Sequence, residues 1–208
     1  MIGLPTEFVV AKHNVSRETI ARLEALVAML IKWNSTINLI SKSSEGSIWS
    51  RHVADSAQVF EYGMDADTWV DLGSGGGFPG LVIAILAAQI KPALQVTLVE
   101  SDQRKAAFLR QAIKALSLSA GVIADRIEAI DSLQANVVSA RALAPLPMLC
   151  SFADRHLAPK GKGIFLKGKN ATAEIAAAKE DWTFMLDTYP SVTDPLALVL
   201  VVTGLAHV

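Results

Sequence analysis

Cysteine occurs once in the 208 residues, at Cys150, which excludes an internal disulfide and a cysteine-based zinc cluster and suits a reducing compartment. Histidine is sparse too: His13, His52, His156 and His207 are scattered without ligand spacing, so no metal site is expected. Apolar runs fall well short of the ~20 residues that a membrane span requires; the longest, Leu81 to Ala88, stops at Gln89, Lys91 and Pro92. The opening MIGLPTEFVVAKHNV lacks a basic stretch followed by a compact apolar core, so no secretory signal is expected and the cytoplasm is the expected location. Neither sign of charge is in excess, with 19 Lys and Arg against 20 Asp and Glu for a net charge of −1. A chain so balanced is not coated in positive charge, and any contact with nucleic acid has to come from local basic groups. Internal repeats and low-complexity linkers are also missing.

What is present is an apolar half, 51% of the residues, enough for one α/β domain with a small appendage. Residues 16 to 34 place Ile20, Leu23, Leu26, Val27, Leu30 and Ile31 on one face of a helix, with Ser16 as its N-cap and Glu18 in its first turn. A second helix is expected from Glu45 to Val59. From Trp69 onward, short apolar runs (TWVDL, LQVTLVE, AGVIA, NVVSA, KGIFLK) alternate with helical stretches, the pattern of βαβ units around a mainly parallel sheet. WTFMLDTY and LALVLVVT follow with no room for a helix between them, so at least one of that pair is expected to be antiparallel. The expected organisation is a helical N-terminal cap over 1–62 and a doubly wound domain over 63–208, forming one structural unit.

The densest signal is WVDLGSGGGFPG, residues 69 to 80, with five glycines within eight positions directly after a strand. Glycine there lets backbone approach a ligand and permits positive φ. Gly75, Gly77 and Gly80 match G-x-G-x-x-G, and Glu100 ends the next strand, the layout of a dinucleotide site. The same residues also satisfy Asp71-x-Gly73-x-Gly75-x-Gly77, the first motif of S-adenosylmethionine-dependent methyltransferases, in which the loop packs on the aminoacyl end of the cofactor. Asp71 would then help anchor the cationic methionine part, and Glu100 would accept hydrogen bonds from both ribose hydroxyls. Two features favour the methyl donor: Pro79 at the start of the following helix would crowd a pyrophosphate, and the terminal strand pair is the usual ending of the methyltransferase fold. A small-molecule methyltransferase, a nicotinamide enzyme and a non-catalytic RNA-binding protein of the same fold remain the other readings of these residues.

Longer strings carry more. WNSTINLISKSSEGSIWSRHVADS (33–56), VDLGSGGGFPGLVIAIL, VESDQRKAAFLR, SARALAPL (139–146) and FLKGKN (165–170) closely resemble the bacterial small-subunit rRNA guanine-N7 methyltransferase family, RsmG or GidB, from about residue 20 to residue 170. The resemblance implies a Rossmann-like class I methyltransferase fold with an antiparallel C-terminal strand. It also implies transfer of a methyl group from S-adenosylmethionine to N7 of one guanine in 16S rRNA near the decoding centre, leaving S-adenosylhomocysteine. Carried over by position, Gly73 and Phe78 would line the cofactor site, with Ile127 and Glu128 beside the adenine, Arg141 in SAR, and Glu100 on the ribose. Where the family loop is usually G-T-G-P-G-L-P-G, this chain has GSGGGFPG; Gly76 loosens the loop and Phe78 adds a ring able to stack. Relatives often end in basic residues, whereas no Lys or Arg follows Lys179 here.

N7 of guanine carries an in-plane lone pair and no proton, so direct in-line attack on the methyl group needs orientation and no general base. No N/D-P-P-Y/F/W follows the fourth strand, as an adenine-N6 enzyme would use, and Cys150 falls mid-helix, where a small buried hydrophobe is the ordinary role. Candidates for RNA contact are Lys42, Arg51, His52, Arg104, Lys105, Lys167 and Lys169; for any single one the plain alternative is a solvated surface charge. Asp55, one turn after Arg51 and His52, is expected to orient one of them. Arg141 and Lys167, at strand ends, are the expected positioning groups for the reaction. Trp33 and Trp49 are expected in the core of the N-terminal helices. With so little positive charge, the expected substrate is the small ribosomal subunit or an assembly intermediate rather than free RNA, and a monomer suffices.

Overall fold

The computed structural model describes Val9, Val10 and residues 13–208. Two short strands, β1 (Val9–Val10) and β2 (His13–Asn14), pair antiparallel ahead of α1 (Arg17–Asn34). Ser16 caps α1 as expected, its Oγ accepting from the Thr19 N–H at 3.1 Å. Asn34 closes it: its Oδ1 accepts the Leu39 and Ile40 N–H groups at 2.8 and 3.0 Å, and its Nδ2 donates to Glu45 at 2.7 Å.

The single second helix expected over 45–59 is instead three pieces: a 3₁₀ helix (Lys42–Ser47), a π-helical turn (Trp49–Ala54) and α2 (Asp55–Glu61). KSSEGS is half serine with a glycine, weak helix formers, and serines in and around it bond locally: Ser41 Oγ to Ser44 Oγ at 2.6 Å, and Ser50 Oγ to the Ser47 carbonyl at 3.2 Å. The π turn is the consequence that matters, because it carries Arg51 and His52.

The alternation then unfolds as read: β3 (Thr68–Leu72), α3 (Gly80–Ile90), β4 (Gln95–Val99), α4 (Gln103–Ala115), β5 (Ala120–Ile123), β6 (Ala135–Arg141), α5 (Leu146–His156), β7 (Leu157–Lys167), α6 (Ala171–Asp181), β8 (Trp182–Pro190) and β9 (Leu198–His207). The seven-stranded sheet runs β5-β4-β3-β6-β7-β9-β8, parallel from β5 to β7, with β9 antiparallel to both of its neighbours. Neighbouring strand order reverses between β3 and β6, the switch point at which open α/β sheets bind ligands beyond their strand ends.

One apolar layer, including Leu26, Leu30, Trp69, Ile83 and Phe108, joins the N-terminal helices to α3, α4 and one sheet face. The other, including Val70, Val138, Leu149, Phe152 and Phe165, lies under α5 and α6. Trp33 packs against Phe108 with ring centroids 5.7 Å apart, and Trp49 is partly buried against the same layer. Cys150 is fully buried, and burial pushes its thiol up to about 11. No helix among the described residues is long and apolar enough to cross a membrane.

Asn34→Ala would strip two main-chain donors of their acceptor at a partly buried turn. A loss of about 1–3 kcal/mol in urea unfolding is expected, with faster amide exchange at Leu39 and Ile40.

Candidate functional site

Asp71, the penultimate residue of β3, is completely buried. Its Oδ2 accepts the first N–H of α3, from Gly80, at 3.1 Å, and its Oδ1 accepts from Ser139 Oγ at 2.8 Å. Ser139 lies directly opposite Asp71 in the β3–β6 register, and its Oγ accepts from Trp69 Nε1 at 2.9 Å. Pro79 stands one position earlier than expected, at the cap of α3, where it has no N–H to offer; the strand-end carboxylate supplies the cap. Burial raises the Asp71 pKa to about 6 against the pull of these hydrogen bonds. Both oxygens are thus engaged beneath the loop, holding its two ends.

Above Asp71 the loop runs through positive φ at Gly73, Gly75 and Gly77 (62°, 52° and 89°). A Cβ on Gly77 would stand 2.4 Å from Leu81 Cδ1, so that glycine is demanded by the loop's packing on its own helix. Gly75 is different: a Cβ there would meet only the Gly73 carbonyl at 3.8 Å, leaving bare backbone facing open space. The Gly75 N–H donates to Glu100 Oε2 at 2.8 Å, and the Asp102 N–H donates to Oε1 at 2.8 Å. Asp102 in turn caps α4 and pairs with Arg104.

Three cavities share walls along these strand ends. The first, about 370 Å³, lies between the loop at Gly73 and Gly75, Glu100, and the turn carrying Ile127 and Glu128, with Leu143 and Phe152 opposite. A second, about 320 Å³, continues under Gly76 and Phe78 to Leu39, His52 and Arg141; Lys105 and Ala142 line both. The third, about 310 Å³, opens beyond Arg141 between Arg51, Lys167, Glu174 and the β8–β9 loop at Ser191, Thr193 and Asp194. His52, Ser44 and Arg141 stand between the second and the third.

The cations here are held differently. Lys167 is spent: its Nζ donates to the Ala144 carbonyl at 2.8 Å and pairs with Glu174, which also accepts the Leu146 N–H. Arg141 is not. Its Nε lies 4.0 Å from Asp55 Oδ2, and its buried Nη1 has no partner among the described residues. Asp55 therefore faces Arg141 rather than orienting Arg51 or His52, because the π turn places those two on the cavity wall and α2 aims the carboxylate across it. His52 stacks on Phe78, centroids 5.0 Å apart. Burial, then the charges of Arg141 and Arg51, lower its pKa to about 4, so the ring is neutral at pH 7.

Of the residues singled out from sequence, Gly73, Gly75, Phe78, Glu100, Ile127, Glu128, Arg141, Arg51, His52, Lys105 and Lys167 line this continuous crevice. Asp71 and Gly77 lie beneath or behind the loop, and Arg104 and Lys169 are exposed outside the cavity walls. Lys42 begins the 3₁₀ helix, but its side chain lies outside the described residues.

The pattern of the GidB family, rRNA small subunit methyltransferase G, matches residues 19–194. The chain belongs to this family. It is 52% identical over 203 residues to the ribosomal RNA small subunit methyltransferase G of Cereibacter sphaeroides, covering 97% of this chain and 98% of that one. With the protein of the same name from Paracoccus denitrificans it shares 51% identity over 196 residues, 93% and 99% of the two chains. Its fold is also that of an O-methyltransferase from Bacillus cereus crystallised with SAH, at 13% identity and a TM-score of 0.56 over 86% of this chain and 91% of that one.

Sequence reasoning overlooked several residues that build or line this family member's site. Ser139 had a signal, a lone hydroxyl inside an apolar strand that must find a partner. Glu174, Ser191, Thr193 and Asp194 had none, since only the path of β7, α6 and the β8–β9 loop brings them to the crevice.

His52 is neutral in the folded protein down to about pH 4, while its ordinary value is 6.5; unfolding therefore takes up a proton below pH 6.5, and stability is lost as pH falls toward 4. In His52→Gln this contribution is absent. Urea unfolding from pH 7 to pH 4 should show the wild type losing stability relative to the variant, and a pH-independent difference would mean that the ring takes up its proton equally in the folded and unfolded states.

Proposed function

We propose that this family member transfers the methyl group of S-adenosylmethionine to N7 of a guanine in 16S rRNA. The observation that carries the reading is the junction at Arg141 and His52, where the cavity beside Glu100 and the glycine loop, with room for the cofactor, runs on into a further cavity with room for a base. The residues fit S-adenosylmethionine. Glu100 accepts readily and already holds two main-chain N–H groups, so ribose hydroxyls would meet a preformed acceptor. Ile127, Leu143 and Phe152 give the flat apolar walls an adenine needs. Bare backbone at Gly73 and Gly75 suits the aminoacyl end.

When bound, the cofactor supplies a methyl group on a sulfonium centre. The chain's own part is to hold the base and to tolerate charge. An N7 nucleophile has no proton to lose, so the walls need only fix its approach. Alkylation at N7 leaves a positive charge on the base, and the neutral His52 adds none beside it. Arg141, compensated by Asp55 and with unspent donors, is suited to the oxygen edge of a guanine. Arg51 and Lys105 flank the opening as phosphate contacts. An unpaired guanine in an rRNA loop can be turned outward at small cost. Because the chain carries a net charge of −1, a particle that presents the loop in fixed shape is a better substrate than free RNA. Such a particle places the enzyme in the cytoplasm.

The test is incubation with labelled S-adenosylmethionine and small subunits from cells lacking the activity, followed by cleavage at 7-methylguanosine. One labelled guanine in 16S rRNA is expected; absence of label with retained cofactor binding would remove the rRNA substrate. Protein-free 16S rRNA should be methylated poorly at physiological salt. Arg141→Ala should lower turnover at least about 100-fold with the unfolding midpoint changed little, and Glu100→Gln should weaken cofactor binding about tenfold by calorimetry, near the loss of one charge-assisted hydrogen bond.

A further inference from the structure

Asp55 joins two walls of the third cavity that come from distant parts of the chain. Its Oδ1 accepts from Ser191 Oγ at 2.7 Å and from Thr193 Oγ1 at 3.1 Å, while Oδ2 faces the Arg141 Nε at 4.0 Å. Asp55 is 8% exposed. One turn further along α2, Gln58 completes the clasp, donating to the Pro190 carbonyl at 2.7 Å and accepting the Val192 N–H at 3.1 Å. Ser191 Oγ relays the hold into the loop by accepting the Thr193 and Asp194 N–H groups at 3.1 and 3.2 Å. The β8–β9 loop is thus fixed by α2, and its inner side forms cavity wall.

On the other side the 4.0 Å separation is long for a hydrogen bond and short for a Coulomb attraction in a buried setting. Asp55 compensates the guanidinium without consuming its donors. Among the described residues the Arg141 side chain makes no hydrogen bond, and its Nη1 is buried without a partner, a state that costs free energy until an acceptor arrives.

We propose that Asp55 is a positioning residue for methyl transfer: it holds Arg141 charged, aligned and unspent at the junction, and fixes the β8–β9 loop as the facing wall of the base cavity. This rests on the proposed rRNA methylation. The two halves separate by substitution. Asp55→Asn keeps a carbonyl acceptor for Ser191 and Thr193 and removes the charge opposite Arg141. Ser191→Ala with Thr193→Val does the reverse, and Asp55→Ala removes both.

With small subunits and saturating S-adenosylmethionine, Asp55→Asn is expected to lower kcat at least tenfold with KM within threefold. The loop double variant is expected to raise KM at least fivefold with kcat within threefold. Cofactor Kd by calorimetry should stay within threefold in both, which a general loss of structure would not allow. A kcat for Asp55→Asn within threefold of wild type, or the same loss in kcat and KM for both variants, would overturn the assignment. Hydrogen exchange read without substrate separates this from the activity itself: residues 190–198 should exchange faster in Asp55→Ala and in the loop variant but not in Asp55→Asn. Unchanged exchange in the loop variant would overturn the clasp whether or not wild-type protein methylates rRNA, while absence of methylation by wild type would count against the functional reading alone.

Discussion

A fully buried carboxylate at the end of the first long strand organises the site. Asp71 is expensive to place there, as its raised pKa indicates. What it returns is geometry: one oxygen starts α3, the other ties β3 to β6 through Ser139, and the Ser139 hydroxyl also takes up the Trp69 indole N–H. The glycine loop is suspended between these fixed ends. Trp69 itself needs Gly63, where a Cβ would lie 2.2 Å from its ring. A single chain of hydrogen bonds therefore runs from the apolar layer below the sheet to the loop that faces the ligand crevice.

The upper wall of that crevice is assembled from irregular backbone. The turn after α1 is held by Asn34, the serine-rich 3₁₀ helix leads into the π turn, and α2 reaches across to the β8–β9 loop. None of these segments is a strong helix on its own propensities; side-chain bonds to the main chain hold them. Regular α/β units supply the half of the crevice at the glycine loop, and these bonded irregular segments supply much of the half around His52 and Arg141.

Much of this was legible from sequence because periodicity reports burial. The strand and helix alternation, the antiparallel final strand, the cap at Ser16 and the glycine loop all follow from local patterns with one dominant cause. Arg141 and Glu100 were legible since charged residues ending apolar strands have few places to go but the strand-end crevice. The break in the second helix was not, because Trp49, Val53 and Val59 preserve apolar spacing through a segment whose serines prefer other bonds. Nor was the partner of Asp55. Helical spacing pointed to Arg51 or His52, yet a π turn changes the phase, and the true neighbours lie 86 and 136 or more positions away in β6 and the β8–β9 loop.

The order of the sheet has a consequence for how the chain is made. β9 is synthesised after β8 but lies between β7 and β8, and among the described residues it is the only strand that β8 pairs with. During translation the finished β8 can only wait: until β9 has emerged and paired with β7, β8 has no ladder to join among the described strands, and the β8–β9 side of the third cavity is not in place. The parallel part of the sheet and its loop can be in place early, but the pocket opposite becomes complete only when the last strand has slid into the middle.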